Sequence, residues 1–118
     1  MPERNEIAEK SKLFALRIIR LYQHLQTEKK EYVLSKQLLR SGTSIGANVR
    51  EARRAQSSAD FYSKLTIALK EADETAYWLE LLHEGGILPD DGFHSIYAEC
   101  EELIRLLAAI TKTLKEKD

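Results

Sequence analysis

These 118 residues predict an all-α protein, an antiparallel up-down-up-down bundle of four helices. Three observations carry that expectation. Apolar or small residues recur in alternating steps of four and three along four segments, which puts them on one face of a helix. No segment sustains the period of two that a half-buried strand needs. The chain has only two prolines and five glycines, so little interrupts long helices.

The first helix, at about 3–27, carries Ile7, Ser11, Phe14, Ile18, Leu21 and Leu25 on that face. The second, at about 31–55, carries Leu34, Leu38, Ser41, Ile45, Asn48, Ala52 and Ala55. The third, at about 58–84, carries Phe61, Leu65, Ala68, Ala72, Thr75, Leu79 and Leu82, and the fourth, at about 89–116, carries Ile96, Cys100, Leu103, Leu107, Ile110 and Leu114. The breaks have chemistry suited to helix ends. Ser57 and Asp60 offer a side-chain acceptor and a negative charge to the free amides opening the third helix. Gly85 and Gly86 suit a left-handed stop, and Pro89, Asp90 and Asp91 suit the next first turn. Connections this short make neighbouring helices antiparallel, and the whole chain is one domain.

The run SGTSIGANVREARRAQSS, residues 41–58, raises the question of a phosphate-binding glycine loop. Such a loop follows a buried strand and commonly ends in a lysine and a hydroxyl residue, and neither is present. Residues 41–48 lie inside the second helical repeat, so their small side chains mark a surface of close approach. Glycine inside a helix costs about 1 kcal/mol relative to alanine, which packing must offset. Folding about a turn near residues 56 and 57 brings Ser41 level with Ala72 and Ile45 level with Ala68. A second stripe, Leu39, Gly42, Gly46 and Val49, turns away from the core series, and the first helix has surplus Leu13, Leu16 and Ile19. This predicts self-association with the second stripe as the interface between copies; a broad core face is the alternative.

Net charge is only −1, yet residues 29–70 hold nine basic and three acidic side chains while 71–102 hold ten acidic and no Lys or Arg. In the bundle, Arg50, Arg53, Arg54 and Lys64 fall at the same end as the tail KTLKEK, residues 112–117, and Glu80, Glu84, Asp90 and Asp91 fall at the other. One positive and one negative end are expected. Lys36, Arg40, Arg50, Arg53, Arg54 and Lys64 are the candidate contacts for nucleic-acid phosphates. The alternative is a solvated surface in which Arg50 and Arg54 pair with Glu51 or Asp60. Asn48, on the core stripe, and Glu51 are candidate structural polar residues sharing a network with Tyr62, unless both meet water at a half-exposed bundle end.

No catalytic constellation is visible. His24, His83 and His94 belong to no metal-ligand spacing, although His83 and His94 can approach beside Glu84 and Asp90. There is no Glu-x-x-His pair, and no serine has a histidine base at a defined turn. Neither enzyme activity, cofactor nor metal is expected. Cys100, the single cysteine, sits among Ile96, Leu103 and Leu107 as a core thiol. The start MPERNEIAEK lacks the apolar stretch of a secretory signal and no run approaches the roughly 20 apolar residues of a membrane span, so a cytoplasmic protein without membrane contact is expected.

The stretches QLLRSGTSIGANVREA and DFYSKLTIALKEADETAYWLELL resemble the four helix bundle protein family, which includes proteins encoded within intervening sequences of bacterial 23S ribosomal RNA genes. The resemblance is most specific over residues 37–82, with Gln37, Arg40, Ser44, Ile45, Asn48, Glu51, Phe61, Ala68 and Glu71 at matching positions. It departs at Ala52, where family members commonly have glycine, and at Arg50, which replaces a small residue and adds charge. The family is similar to the accessory variability protein of diversity-generating retroelements, a pentameric barrel of four-helix protomers that binds a reverse transcriptase and nucleic acid. The resemblance therefore implies a ring-shaped homopentamer and, as partner, RNA or a nucleic-acid-associated protein; a protein-only scaffold is the alternative.

Overall fold

The computed structural model describes residues 2–116, with the backbone alone for residues 2–4, so Lys117 of the expected basic tail lies outside the described residues. Four helices form: α1 Pro2–Thr27, α2 Leu34–Ala52, α3 Ser58–Glu84 and α4 Asp90–Glu116. Among the described residues there is no strand. Each helix packs on the next in the chain, and α4 returns to α1 to close the bundle, which measures 46 × 21 × 20 Å.

Helix ends follow from local chemistry. The Ser57 hydroxyl accepts from the Asp60 amide at 3.0 Å, and the Asp60 carboxylate accepts from the Gln56 amide at 3.2 Å, a reciprocal cap of the kind Ser57 and Asp60 predict. Gly86 takes the left-handed conformation, φ 81°, that ends α3, while Gly85 keeps φ at −79°. Only one of the two predicted glycines is therefore needed for its backbone freedom.

Helix α2 is shorter than the predicted 31–55. At its start Glu31 stays outside the helix as its cap: the amides of Val33, Leu34 and Ser35 donate to its carboxylate at 3.1, 3.0 and 2.6 Å. At its end the chain tightens, with Arg53, Arg54 and Ala55 amides each donating to the carbonyl three residues back, the geometry of a terminal 3₁₀ turn. The connection to α3 is consequently longer than predicted, and the register shifts by about one turn. Ser41 pairs with Thr75, not Ala72; their hydroxyl oxygens lie 2.9 Å apart and the Thr75 hydroxyl is also 2.7 Å from the Glu71 carbonyl. Both residues are fully buried, so these bonds replace the water each hydroxyl loses.

Burial alone would raise the Glu31 carboxyl, but the amides of Leu34, Ser35 and Val33 and the Ser35 hydroxyl outweigh it and hold the pKa below the ordinary 4.5. A folded-state pKa depressed in this way stabilises the protein above the unfolded value, and that contribution disappears as pH falls through the folded one. Glu31→Ala is expected to cost about 1 kcal/mol at neutral pH and less at pH about 3, by urea unfolding followed by circular dichroism.

The core runs along the bundle axis through Phe14 and Ile18 of α1, Leu38 and Ile45 of α2, Ala68, Ala72 and Leu79 of α3, and Leu103 and Leu107 of α4. Cys100 is buried there as expected, its thiol donating to the Ala72 carbonyl at 3.3 Å; burial pushes its pKa up to about 12, which leaves it without thiolate at neutral pH. The second stripe of α2 does not face away from the core. Gly42 and Val49 are buried and Leu39 is half-buried, because α1 covers that side. A Cβ on Gly42 would meet Ile18, and one on Gly46 would meet Ser11. Leu39, Gly42, Gly46 and Val49 thus join helices within one chain, as the broad core face anticipated. Two stripes arise because α2 has two neighbours, α3 and α1, on adjacent sides. Of the surplus apolar residues, those of α1 do reach solvent: Leu13 is 58% exposed, Leu16 43% and Ile19 37%.

Candidate functional site

The last turn of α2 gathers cations for a local reason: unpaired carbonyls at a helix C-terminus carry partial negative charge, which favours Arg50 there and Arg53 and Arg54 just beyond. The tight turn over residues 53–55 then fans these side chains at one end of the bundle. All three are exposed, and none forms an ion pair among the described residues. The carboxylates that the sequence offered them are engaged elsewhere: Glu51 accepts from Lys64 at 2.9 Å, and Asp60 caps α3.

That arrangement divides the six predicted phosphate contacts. Lys64 lies at the basic end but is paired, and Glu51 raises its pKa. Arg40 contacts Glu71 at 3.3 Å and also Glu74, whose carboxylate accepts from the Trp78 indole at 2.9 Å. It belongs to the α2–α3 seam. Lys36 sits near the opposite end, about 21 Å from Arg50 along the helix. Arg50, Arg53 and Arg54 remain as one cluster, around an open recess of about 500 Å³ that they line.

Asn48 and Glu51 form no shared network with Tyr62. Asn48 is half-buried and donates to the Ser44 carbonyl at 2.9 Å, and Ser44 donates to the Arg40 carbonyl at 2.7 Å, so residues 40, 44 and 48 make a ladder along α2. Glu51 is exposed beside Lys64. Several residues that carry the family resemblance therefore serve the α2–α3 seam.

A groove of about 600 Å³ opens between α1 and α2 toward the same end. Small residues, Ala8, Ala15, Gly46 and Ala47, leave its floor low, and Asn5, Glu9 and Lys12 of α1 face Arg50 of α2 and Arg53 just beyond it across the groove. A third recess of about 500 Å³ at the bundle tip is lined by Asn5, Arg53, Ser57, Phe61 and Leu114 among others. Arg53 borders all three. Spacing along one helix does not reveal Lys12 as a neighbour of Arg50; only the α1–α2 register does.

The opposite end, expected to be negative, carries both signs. Lys29 and Lys30 in the α1–α2 connection accompany Glu80, Glu84, Asp90 and Asp91. His83 stacks on Phe93 at 4.0 Å and its Nε2 lies 2.6 Å from an Asp90 carboxylate oxygen, an interaction that lowers the Asp90 pKa. His94 lies 5.8 Å from His83, ring to ring. Among the described residues no group of three or more His, Cys, Asp or Glu could hold a metal ion, and no helix is long and apolar enough to cross a membrane.

The family model described as 23S rRNA-intervening sequence protein matches residues 3–109. The fold is similar to a crystal structure of a protein with unknown function from the S23 ribosomal protein family of Bacteroides thetaiotaomicron VPI-5482. The TM-score is 0.92 at 54% sequence identity, covering 93% of this chain and 98% of that chain. No curated protein matches this chain.

Proposed function

Because this chain belongs to the 23S rRNA-intervening sequence protein family, we propose that it is a non-enzymatic, cytoplasmic helical bundle that binds RNA, or RNA within a ribonucleoprotein, through phosphates at its basic end. The supporting observation is the cluster of Arg50, Arg53 and Arg54, exposed and free of ion pairs among the described residues while neighbouring carboxylates are occupied. Arginine with its forked donors open to solvent is the side chain suited to phosphate oxygens. Self-association is part of the proposal, now through the exposed Leu13, Leu16 and Ile19 of α1. A ring, a pentamer by the family resemblance, would set several arginine clusters around one axis.

The test is retention of RNA by the purified protein with the three arginines present or changed to glutamine, across a salt series; binding indifferent to salt would sink the proposal. Light scattering fixes the subunit number, and a monomer at micromolar concentration would remove the ring. The same exposed leucines favour a second function, a scaffold that binds only protein. Partner capture that survives nuclease treatment would support it.

A further inference from the structure

We infer that the α1–α2 groove is the path of a single-stranded RNA backbone, with Lys12 on one wall and Arg50 and Arg53 on the other engaging its phosphates. This rests on the RNA binding proposed above and adds the form of the strand and its route. The three cations come from α1, from α2 and from the cap that ends α2, and they line a common trough; none of them forms an ion pair among the described residues. A phosphate lying in the trough is therefore approached from both sides. On a flat patch it would meet cations from one side only.

The size of the groove selects the ligand. Its volume of about 600 Å³ falls in the range of small-ligand sites, room for roughly one or two nucleotides at a time. An A-form duplex is a rigid cylinder that presents its phosphates on a convex surface, and it cannot lower them between two packed helices. A flexible single strand can. Among the described residues no aromatic side chain lines the groove, so bases find no stacking platform there and the contact is sequence-tolerant. Glu9, exposed on the Lys12 wall, opposes the strand.

Fluorescence anisotropy of the full chain with a labelled short oligouridylate, and with a duplex of equal length, tests the inference at about 0.1 M salt. Each phosphate contact to a single strand contributes roughly 0.7 to the logarithmic salt slope, so Lys12→Gln is expected to weaken binding about fivefold. Glu9→Gln is expected to strengthen it about twofold by removing a repulsive charge. Ala47→Leu leaves every cation in place and fills the trough without offering bases an aromatic ring, and is expected to weaken single-strand binding about tenfold. Thermal unfolding checks that each variant keeps the fold.

Parent-like binding by both Lys12→Gln and Ala47→Leu, with the triple arginine variant weakened, overturns the groove and leaves the RNA proposal standing. Duplex bound as tightly as single strand also overturns it. Polyglutamate competing as well as the oligonucleotide, charge for charge, points to an acidic protein segment instead. No binding of either RNA by the parent protein removes both proposals together.

Discussion

Replacing Gly42 with alanine is expected to destabilise the bundle by about 1–2 kcal/mol, whereas the same change at Gly46 is expected to be neutral or to stabilise by up to about 1 kcal/mol. The two glycines are four residues apart on one helix, and both substitutions gain the same intrinsic helix propensity. They differ in what the added carbon meets. At Gly42 it would lie 2.9 Å from both Cγ1 and Cγ2 of Ile18 and 3.2 Å from its Cδ1. Ile18 is fully buried and branched at Cβ, so those atoms cannot swing aside without moving the helix. At Gly46 the nearest atom, the Ser11 carbonyl oxygen, is 3.4 Å away, which is an ordinary contact.

Urea unfolding of the two variants measures the difference directly. Ile18→Ala alone opens a cavity and costs about 2–5 kcal/mol. Combined with Gly42→Ala it should cost less than the sum, because the new methyl group occupies part of the vacated space. Equal effects at the two glycines would contradict this account of how α1 and α2 meet.

Changing Arg50, Arg53 and Arg54 together to glutamine is expected to weaken RNA binding about 100-fold at about 0.1 M salt. Three contacts at roughly 0.7 each lower the logarithmic salt slope by about 2, and relative to 1 M salt that is about two decades of affinity. Each replacement removes a charge, so controls must separate location from net charge. Arg40→Gln, Lys64→Gln and Lys36→Gln each remove one charge as well. Arg40 and Lys64 already answer carboxylates, and Lys36 stands at the far end of α2. These three singles are expected to change affinity little, and the two exposed pairs to change stability little. A uniform loss across all of them would indicate diffuse attraction to net charge.

The bundle was legible in the sequence because its signal is periodic. Phe14, Ile45, Leu79 and Leu107 all lie in predicted core series and all are buried. What spacing cannot state is which neighbour covers a given stripe. Gly42 and Val49 therefore look like a spare face from one helix alone and prove to be the seat of α1. The α2 start was misplaced for a related reason: a glutamate reaching forward to three amides is not among the short side chains usually expected at a cap.

The candidate site was half legible. Arg50, Arg53 and Arg54 are close in sequence and stay together in space. Whether Arg40 and Lys64 were free depended on carboxylates contributed by a neighbouring turn or helix, and Lys12 could join Arg50 only after two helices were set side by side. Pairing and juxtaposition are tertiary facts, and the register shift near residue 53 shows how far a short misjudged connection moves them.

The closing seam between α4 and α1 is spanned by long ion pairs, Lys10 to Glu102 and Arg17 to Glu99. Among the described residues it is the sole helix interface between elements distant in sequence, since the other three join consecutive helices. Contact order is accordingly low, which favours assembly on the microsecond-to-millisecond scale of helical bundles. Hairpin zippering is expected to come early and the ionic clasp, which closes the longest loop, to be fastened last.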